Sequence, residues 1–272
     1  MTTREIAGSP EAAPSKGSVG DLQMSGKIVL VTGASDGLGR HFARILCGAG
    51  ATVVLGARRA DKLAEAVAEI VQLGGCASSV SIDVTSEASV AEAFREIAER
   101  VGTVNVVVNN AGVAAAKSLL ELSESEWDGV LDTNLKGAWL VMREAARRLV
   151  ERGLPGTIVN ITSILAQRVA GNVAAYAASK AGLTQLTKAA ALELARYRIR
   201  VNALAPGYIR TPMNESFFAS AASEALIKRI PQRRIGIAAD LDAPLLLLAS
   251  DASPFLTGAV LAVDGGHLVS SL

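Results

Sequence analysis

Short apolar, β-branched blocks alternate along the chain with longer stretches in which apolar positions return every three or four residues. The first block, Ile28–Thr32, predicts a strand, because a continuous apolar run ended by glycine suits a strand buried on both faces. Gly33-Ala34-Ser35-Asp36-Gly37-Leu38-Gly39 follows, and Phe42, Ile45 and Leu46 then repeat with a helical period. Residues 52–55 read as a second strand, 60–73 as a helix, 79–82 as a strand, 86–101 as a helix capped by Ser86, and 104–108 as a strand apolar except for Asn105. A long helical periodicity covers 123–150. Beyond it, 157–161 reads as strand, 174–197 as helix, 199–204 as strand, 240–249 as helix and 259–263 as a seventh strand. Such alternation predicts an α/β fold, a doubly wound parallel sheet with helices on both faces, since right-handed crossovers place successive helices that way.

Three segments fall outside the alternation. Residues 1–22 mix Thr, Arg, Glu, Pro, Ser and Gly without an apolar core, and are expected to be a disordered extension and not a secretory signal. Residues 206–236 are irregular, carry Pro212, Pro231 and a Phe217-Phe218 pair, and follow the carboxyl end of a strand, where ligands of such sheets bind; a substrate lid is expected there. The tail from Asp264 is apolar at its end and is expected to pack on a neighbouring subunit.

The 272 residues, half of them hydrophobic and 4% aromatic, fit one domain spanning 23–272. No apolar run approaches the roughly 20 residues of a membrane-spanning helix, so a cytoplasmic protein is expected. With 27 basic and 26 acidic residues the net charge is +1, which argues against nucleic acid or a membrane surface as a partner. Cys47 and Cys76 form no CxxC, and with His41 and His267 they make no metal-ligand spacing, so structural roles and no metal are expected.

The candidate chemistry centres on Tyr176-Ala177-Ala178-Ser179-Lys180. On a helix, Tyr176 and Lys180 stand about one turn apart on one face, where an ammonium favours the phenolate and draws the phenol pKa towards neutrality. The spacing alone also describes an ordinary amphipathic pair. Its company changes the picture: Ser163 ends an apolar strand-like run, and the glycine turn of 33–39, though spaced as Gly-x-x-x-Gly-x-Gly, has the strand and helix flanks of a dinucleotide site.

These residues resemble the short-chain dehydrogenase/reductase family over about 24–267. The family's glycine turn stands here as Thr32 to Gly39, its Asn-Asn-Ala-Gly as Asn109-Asn110-Ala111-Gly112, its helical Asn as Asn134, and its Ser with YxxxK as Ser163, Tyr176 and Lys180. The resemblance implies a seven-stranded Rossmann fold, a nicotinamide cofactor, and interconversion of a carbonyl and a secondary alcohol. Tyr176 would give the proton, Ser163 would hold the substrate oxygen, Lys180 would act on Tyr176 and the nicotinamide ribose, and Asn134 would support a water relay. Gly33, Ser35, Asp36, Gly37, Leu38 and Gly39 would cradle the pyrophosphate; Asp83 and Val84 would meet the adenine; Asn110, Ala111 and Gly112 would border the cofactor. Pro206, Gly207, Ile209 and Thr211 would pack on the carboxamide.

Where the adenosine ribose should lie, about 20 residues past the glycine turn, stand Ala57, Arg58 and Arg59 in place of an acid. A guanidinium can clamp a 2′-phosphate, so NADP is the expected cofactor, with NAD as the alternative; Asp36 works against that preference. The leading expectation is a carbonyl reductase or alcohol dehydrogenase, assembled as a homotetramer. The rivals are a 3-oxoacyl thioester reductase, whose acidic carrier Lys228, Arg229, Arg233 and Arg234 could meet, a sugar or polyol dehydrogenase, and a cofactor-binding regulatory protein without catalysis. The substrate pocket is expected between 113–117, 164–172 and 206–236.

Overall fold

A computed structural model of the chain describes residues 22–211 and 221–270. The extension expected at 1–22 lies almost wholly outside the described residues, as do Pro212 and the Phe217-Phe218 pair of the expected lid.

Seven strands form one parallel sheet: β1 (Ile28–Thr32), β2 (Thr52–Ala57), β3 (Cys76–Ser81), β4 (Val106–Asn109), β5 (Gly156–Ile161), β6 (Ile199–Pro206) and β7 (Val260–Val263). Their order is β3-β2-β1-β4-β5-β6-β7. The chain therefore builds outward from β1 in one direction, returns, and continues from β4 in the other. Between β1 and β4 the crossovers leave in opposite directions, and the crevice at their carboxyl ends is where such sheets bind ligands.

Alternate strand residues feed two cores. Val29, Val31, Val53, Leu55, Val106 and Val108 join one cluster with Phe42, Leu46, Leu63 and Leu245, on the face covered by α1 (Gly37–Gly48), α2 (Ala60–Gln72) and the last helix. Leu30, Val54, Val80, Val107 and Ile158 point the other way, against α3 (Glu87–Arg100), α5 (Ala138–Glu151) and α6 (Ala174–Leu194). This two-sided burial explains why the central strands read as continuous apolar runs and not as alternating ones. In α3 the buried positions Val90, Ala93, Phe94 and Ile97 keep the helical spacing, and Ser86 caps its start by accepting from Ser89 N.

Several boundaries differ from the sequence expectation. β3 starts at Cys76, three residues early, because it is an edge strand whose Ala77, Ser78 and Ser79 are only half-buried and give no apolar signal. The helix expected over 123–150 is three pieces: α4 (Glu124–Leu131), a π-helical turn (Asp132–Gly137) and α5. The wider turn keeps a helical composition, so periodicity does not reveal it, and such turns concentrate at functional sites. Within 206–236, Ala221–Arg229 is a helix, α7, and Asp242–Ala249, α8, is preceded by a 3₁₀ turn over Ala238–Leu241. No helix among the described residues is long and apolar enough to cross a membrane.

Candidate active site

The crevice is held at its mouth by Thr32, the last residue of β1. Its hydroxyl accepts from the backbone N–H groups of Asn110 and Ala111, both at 3.1 Å, and faces Val108 O at 3.5 Å. Asn110 returns the tie, its amide donating to Thr32 O at 3.0 Å and Gly33 O at 3.3 Å. Thr32 belongs to the resembling motif, yet its hydroxyl as the staple between β1 and the segment after β4 is visible only in three dimensions.

The glycines after β1 are needed for two separate reasons. A Cβ on Gly39 would lie 2.3 Å from Gly33 O and 2.5 Å from Asn110 Nδ2, and one on Gly33 would lie 2.8 Å from Ala111 Cα, so neither position can hold a side chain. Gly37 faces open space but has φ +53°, in the left-handed region. Asp36 is the N-cap of α1 and accepts from Gly37 N at 2.7 Å. Leu38 packs on the first core. The result is a backbone cradle, free of side chains, at the positive end of a twelve-residue helix, which fits the pyrophosphate of a dinucleotide.

At the end of β2, Arg59 donates to Ser35 Oγ at 3.0 Å and so bridges to the glycine turn. Arg58 is exposed and acts electrostatically on Asp83. The Asp83 carboxyl is held below its ordinary range, first by the hydroxyl and backbone N–H of Thr85 (2.8 and 3.0 Å), with Arg58 adding to them. Val84 is buried in the second core, and a Cβ on Gly137 of the π-turn would strike its Cγ2 at 2.8 Å.

Ser163, Tyr176 and Lys180 come together at the carboxyl end of β5. Ser163, two residues past the strand, accepts from Leu165 N at 3.1 Å, and its hydroxyl is close enough to the Tyr176 phenol to act on its titration. Lys180 is 4% exposed; its Nζ donates to Ile161 O at 2.8 Å and lies 5.6 Å from the Tyr176 ring centroid. An ammonium has three donors, so two remain beyond the bond to Ile161 O.

The pKa directions correct one expectation. Burial raises the Tyr176 phenol above its usual value, the Ser163 hydrogen bond opposes that rise, and Lys180 contributes no resolved pull. Burial instead pushes Lys180 down to about 8. Desolvation outweighs the charge pairing here, because the ammonium sits beside the ring and is itself out of water. The arrangement is suited to holding a neutral phenol beside a lysine that carries its charge reluctantly.

Asn134, fully buried in the π-turn, is clamped on Val113: its Nδ2 donates to Val113 O at 2.9 Å and its Oδ1 accepts from Val113 N at 2.8 Å. The second Nδ2 hydrogen goes to Ser179 Oγ at 3.0 Å. Gly112 lies between this amide and the lysine, since a Cβ there would be 3.3 Å from Asn134 Oδ1 and 3.5 Å from Lys180 Nζ. Ala111 packs on the second core, and Asn109 donates to Asn160 Oδ1 at 2.9 Å deep in the sheet.

The segment after β6 carries the remaining expected residues. Pro206 ends the strand; Gly207 donates to Val263 O at 2.9 Å and has Asp264 Cα 2.7 Å from where its Cβ would be. The Ile209 side chain packs in the first core, and its backbone pairs with Gly236, closing the two ends of the irregular segment on each other. Thr211 is half-buried at the edge of the described residues. After β7, Arg168 donates to His267 O and, at 2.8 Å, to Ser270 Oγ, which fastens the 164–172 wall to the C-terminal turn. Val269 in that turn is 86% exposed on the single chain.

Of the four basic residues in the last turn of α7 and just after it, Arg234 is paired with Asp240 at 2.6 Å and Arg233 donates to Lys228 O, while the Lys228 and Arg229 side chains are exposed. Cys47 is a buried thiol donating to Cys76 O at 3.3 Å, and His41 pairs with Asp242 at 2.6 Å, both away from the crevice and tying α1 to its neighbours.

The chain is similar to known proteins over most of its length. A family model described as enoyl-(acyl carrier protein) reductase matches residues 33–267. The chain is 36% identical to a 3-oxoacyl-[acyl-carrier-protein] reductase of Thermotoga maritima, over 91% of this chain and 100% of that one. It is 40% identical to 3β-hydroxysteroid dehydrogenase 1 of Eggerthella lenta, over 89% and 94%. Among solved structures, a gluconate 5-dehydrogenase from Burkholderia cenocepacia in complex with NADP and tartrate superposes with a TM-score of 0.89 at 35% identity, covering 92% of this chain and 98% of that one.

Proposed function

The chain belongs to the short-chain dehydrogenase/reductase family of NAD(P)-dependent oxidoreductases, and on that premise we propose that it is an NADP(H)-preferring carbonyl reductase in which Tyr176 is the general acid and base. The single observation that carries the reading is the convergence at one strand end of Ser163, whose hydroxyl acts on the Tyr176 phenol, with Lys180, whose Nζ lies 5.6 Å from the Tyr176 ring centroid. The nicotinamide, when bound, supplies or accepts the hydride. The protein's part is proton handling and position. The Tyr176 hydroxyl donates to the carbonyl oxygen as charge develops on it, so that a full alkoxide need not form. Ser163 holds the same oxygen with a second hydrogen bond. Lys180, fixed by Ile161 O, keeps its remaining donors for the ribose hydroxyls and for resupplying the phenol through a water relay that the turn around Asn134 supports.

NADP preference rests on Arg58 and Arg59 at the end of β2, and on the absence there of a carboxylate that would repel a 2′-phosphate. Asp36, spent on capping α1, opposes it less than the sequence suggests. The residues 113–117, 164–172 and 206–236 form the substrate walls of this reading, in which the chain works as a cytoplasmic homotetramer. A second reading, reduction of a 3-oxoacyl thioester, is favoured by the exposed Lys228 and Arg229 within the expected lid, which suit an acidic carrier. The relatives' names span acyl thioesters, a steroid and a sugar acid, so substrate choice must lie in the walls and not in the shared centre. Initial rates with ketones, 3-oxoacyl thioesters and aldonic acids, each with both nucleotides, test the proposal; no turnover in any combination would reject it.

A further inference from the structure

The geometry assigns Ser179, inside the Tyr176–Lys180 interval, a positioning role: its hydroxyl couples the π-turn to the helical turn that carries the proton donor. The inference rests on the reading of Tyr176 as the acid. Ser179 is fully buried and on the side of α6 that faces the π-turn, so its side chain touches neither the expected substrate nor the cradle. Its Oγ donates to Tyr176 O at 2.7 Å and accepts from Asn134 Nδ2 at 3.0 Å. The first of these bonds is a common local one in helices and would carry nothing alone. The second gives it meaning.

Asn134 has two amide hydrogens, and both are committed, one to Val113 O and one to Ser179 Oγ. Its carbonyl accepts from Val113 N. Hydrogen bonds therefore run without a gap from the backbone of Val113, in the first substrate wall, through Asn134 to Ser179 and on to the backbone of Tyr176. The sheet holds Lys180 from the other side through Ile161 O. Ser179 and Lys180 thus fasten adjacent faces of one turn to two different elements, and the roll of that turn sets where the phenol points relative to Ser163. With Ala at 179, Asn134 keeps its clamp on Val113 but loses its hold on α6, and one buried donor is left without an acceptor. A misplaced proton donor lowers the chemical step steeply while leaving the cradle, on the far side of Thr32, intact.

The test compares Ser179→Ala, Ser179→Cys and Ser179→Thr with wild type in kcat, in NADPH Kd by fluorescence, and in Tm, using the best carbonyl substrate from the screen. The expected result is a kcat loss of about 10-fold or more in the Ala and Cys variants with NADPH Kd changed less than about 2-fold, and recovery of most of kcat in Thr, which restores the hydroxyl. A role confined to folding would lower Tm and leave kcat per folded molecule unchanged, in all three variants or in Ala alone, and that result overturns the inference. If Ala does not fold, the Cys and Thr pair decides: equal kcat in the two rejects it. Tyr176→Phe, measured alongside, separates the two claims. Turnover lost in Tyr176→Phe and kept in Ser179→Ala overturns this inference alone, whereas turnover kept in Tyr176→Phe removes the acid reading and this inference with it.

Discussion

Lys180 Nζ donates to the main-chain oxygen of Ile161 at 2.8 Å, so the buried ammonium is attached to the last residue of β5, two residues before Ser163. One strand end thereby leads to Ser163 and anchors Lys180, while α6 supplies both Lys180 and Tyr176.

The cost of burying that ammonium gives a stability prediction. With its pKa lowered to about 8 from an ordinary 10.5, Lys180 in the folded chain binds its proton less readily than in the unfolded chain. The unfolded state therefore binds more protons between about pH 8 and 10.5, and this group's contribution to stability rises with pH across that window. Below it the full penalty stands, on the order of 3 kcal/mol. Lys180→Met is expected to have a higher Tm than wild type at pH 7 in the absence of nucleotide, with the gap closing as pH rises towards 10, and no measurable turnover. Calorimetry across that range checks it; a gap that is negative at pH 7 or widens with pH would contradict it.

Tyr176→Phe deletes one hydroxyl and leaves the ring in place. Turnover should fall by about 100-fold or more, with NADPH affinity changed little, because general acid catalysis is lost and no cradle contact is touched. Steady-state rates and a nucleotide titration on the same preparation decide the matter. Residual kcat near wild type would reassign the acid.

Nucleotide preference should follow Arg58 and Arg59. We expect kcat/KM for NADPH to exceed that for NADH, and Arg58→Ala to narrow the gap through weaker NADPH binding by about 10-fold, the scale of a lost charge-assisted hydrogen bond. Arg59→Ala should act on both nucleotides as well, since it also releases Ser35 of the glycine turn. Equal efficiency with NADH in the wild type would shift attention to Asp36.

The glycines separate strain from collision. Gly37→Ala meets no atom within 4 Å and strains only a φ of +53°, a cost of about 1 kcal/mol. Gly39→Ala drives a methyl to 2.3 Å from Gly33 O, so backbone must move. The first variant is expected to fold and bind nucleotide with modest loss, and the second to lose nucleotide binding outright; thermal shift with and without NADPH distinguishes them.

Much of this was legible in the residues. The central strands were readable because burial on both faces leaves continuous apolar runs, and the cradle because glycine spacing reports backbone geometry directly. Ser163, Tyr176 and Lys180 were singled out by spacing and company, and the structure places them near one another. What was not legible depends on neighbours. The π-turn hides in a sequence such as Asp132-Thr133-Asn134-Leu135-Lys136-Gly137, whose composition suits any helix, and the edge strand β3 lacks an apolar face to announce its start. The phenol's upward shift could not be read at all, since it comes from side chains far apart in sequence excluding water. Ser179 looked like a spacer in a five-residue motif until Asn134, 45 positions away, was found beside it.

The Thr32 hydroxyl, receiving the N–H groups of Asn110 and Ala111, bears on how the nucleotide arrives. Two strand ends that could splay apart are riveted by hydrogen bonds of the fold itself, so the two lips of the crevice are held at a fixed spacing. Little ordering of backbone is then left for the nucleotide to impose, and its affinity should be set by contacts more than by reorganisation. Association should accordingly follow a single exponential with a rate linear in nucleotide concentration, and Thr32→Val, which keeps the shape but removes the rivet, should slow that step and bend the line.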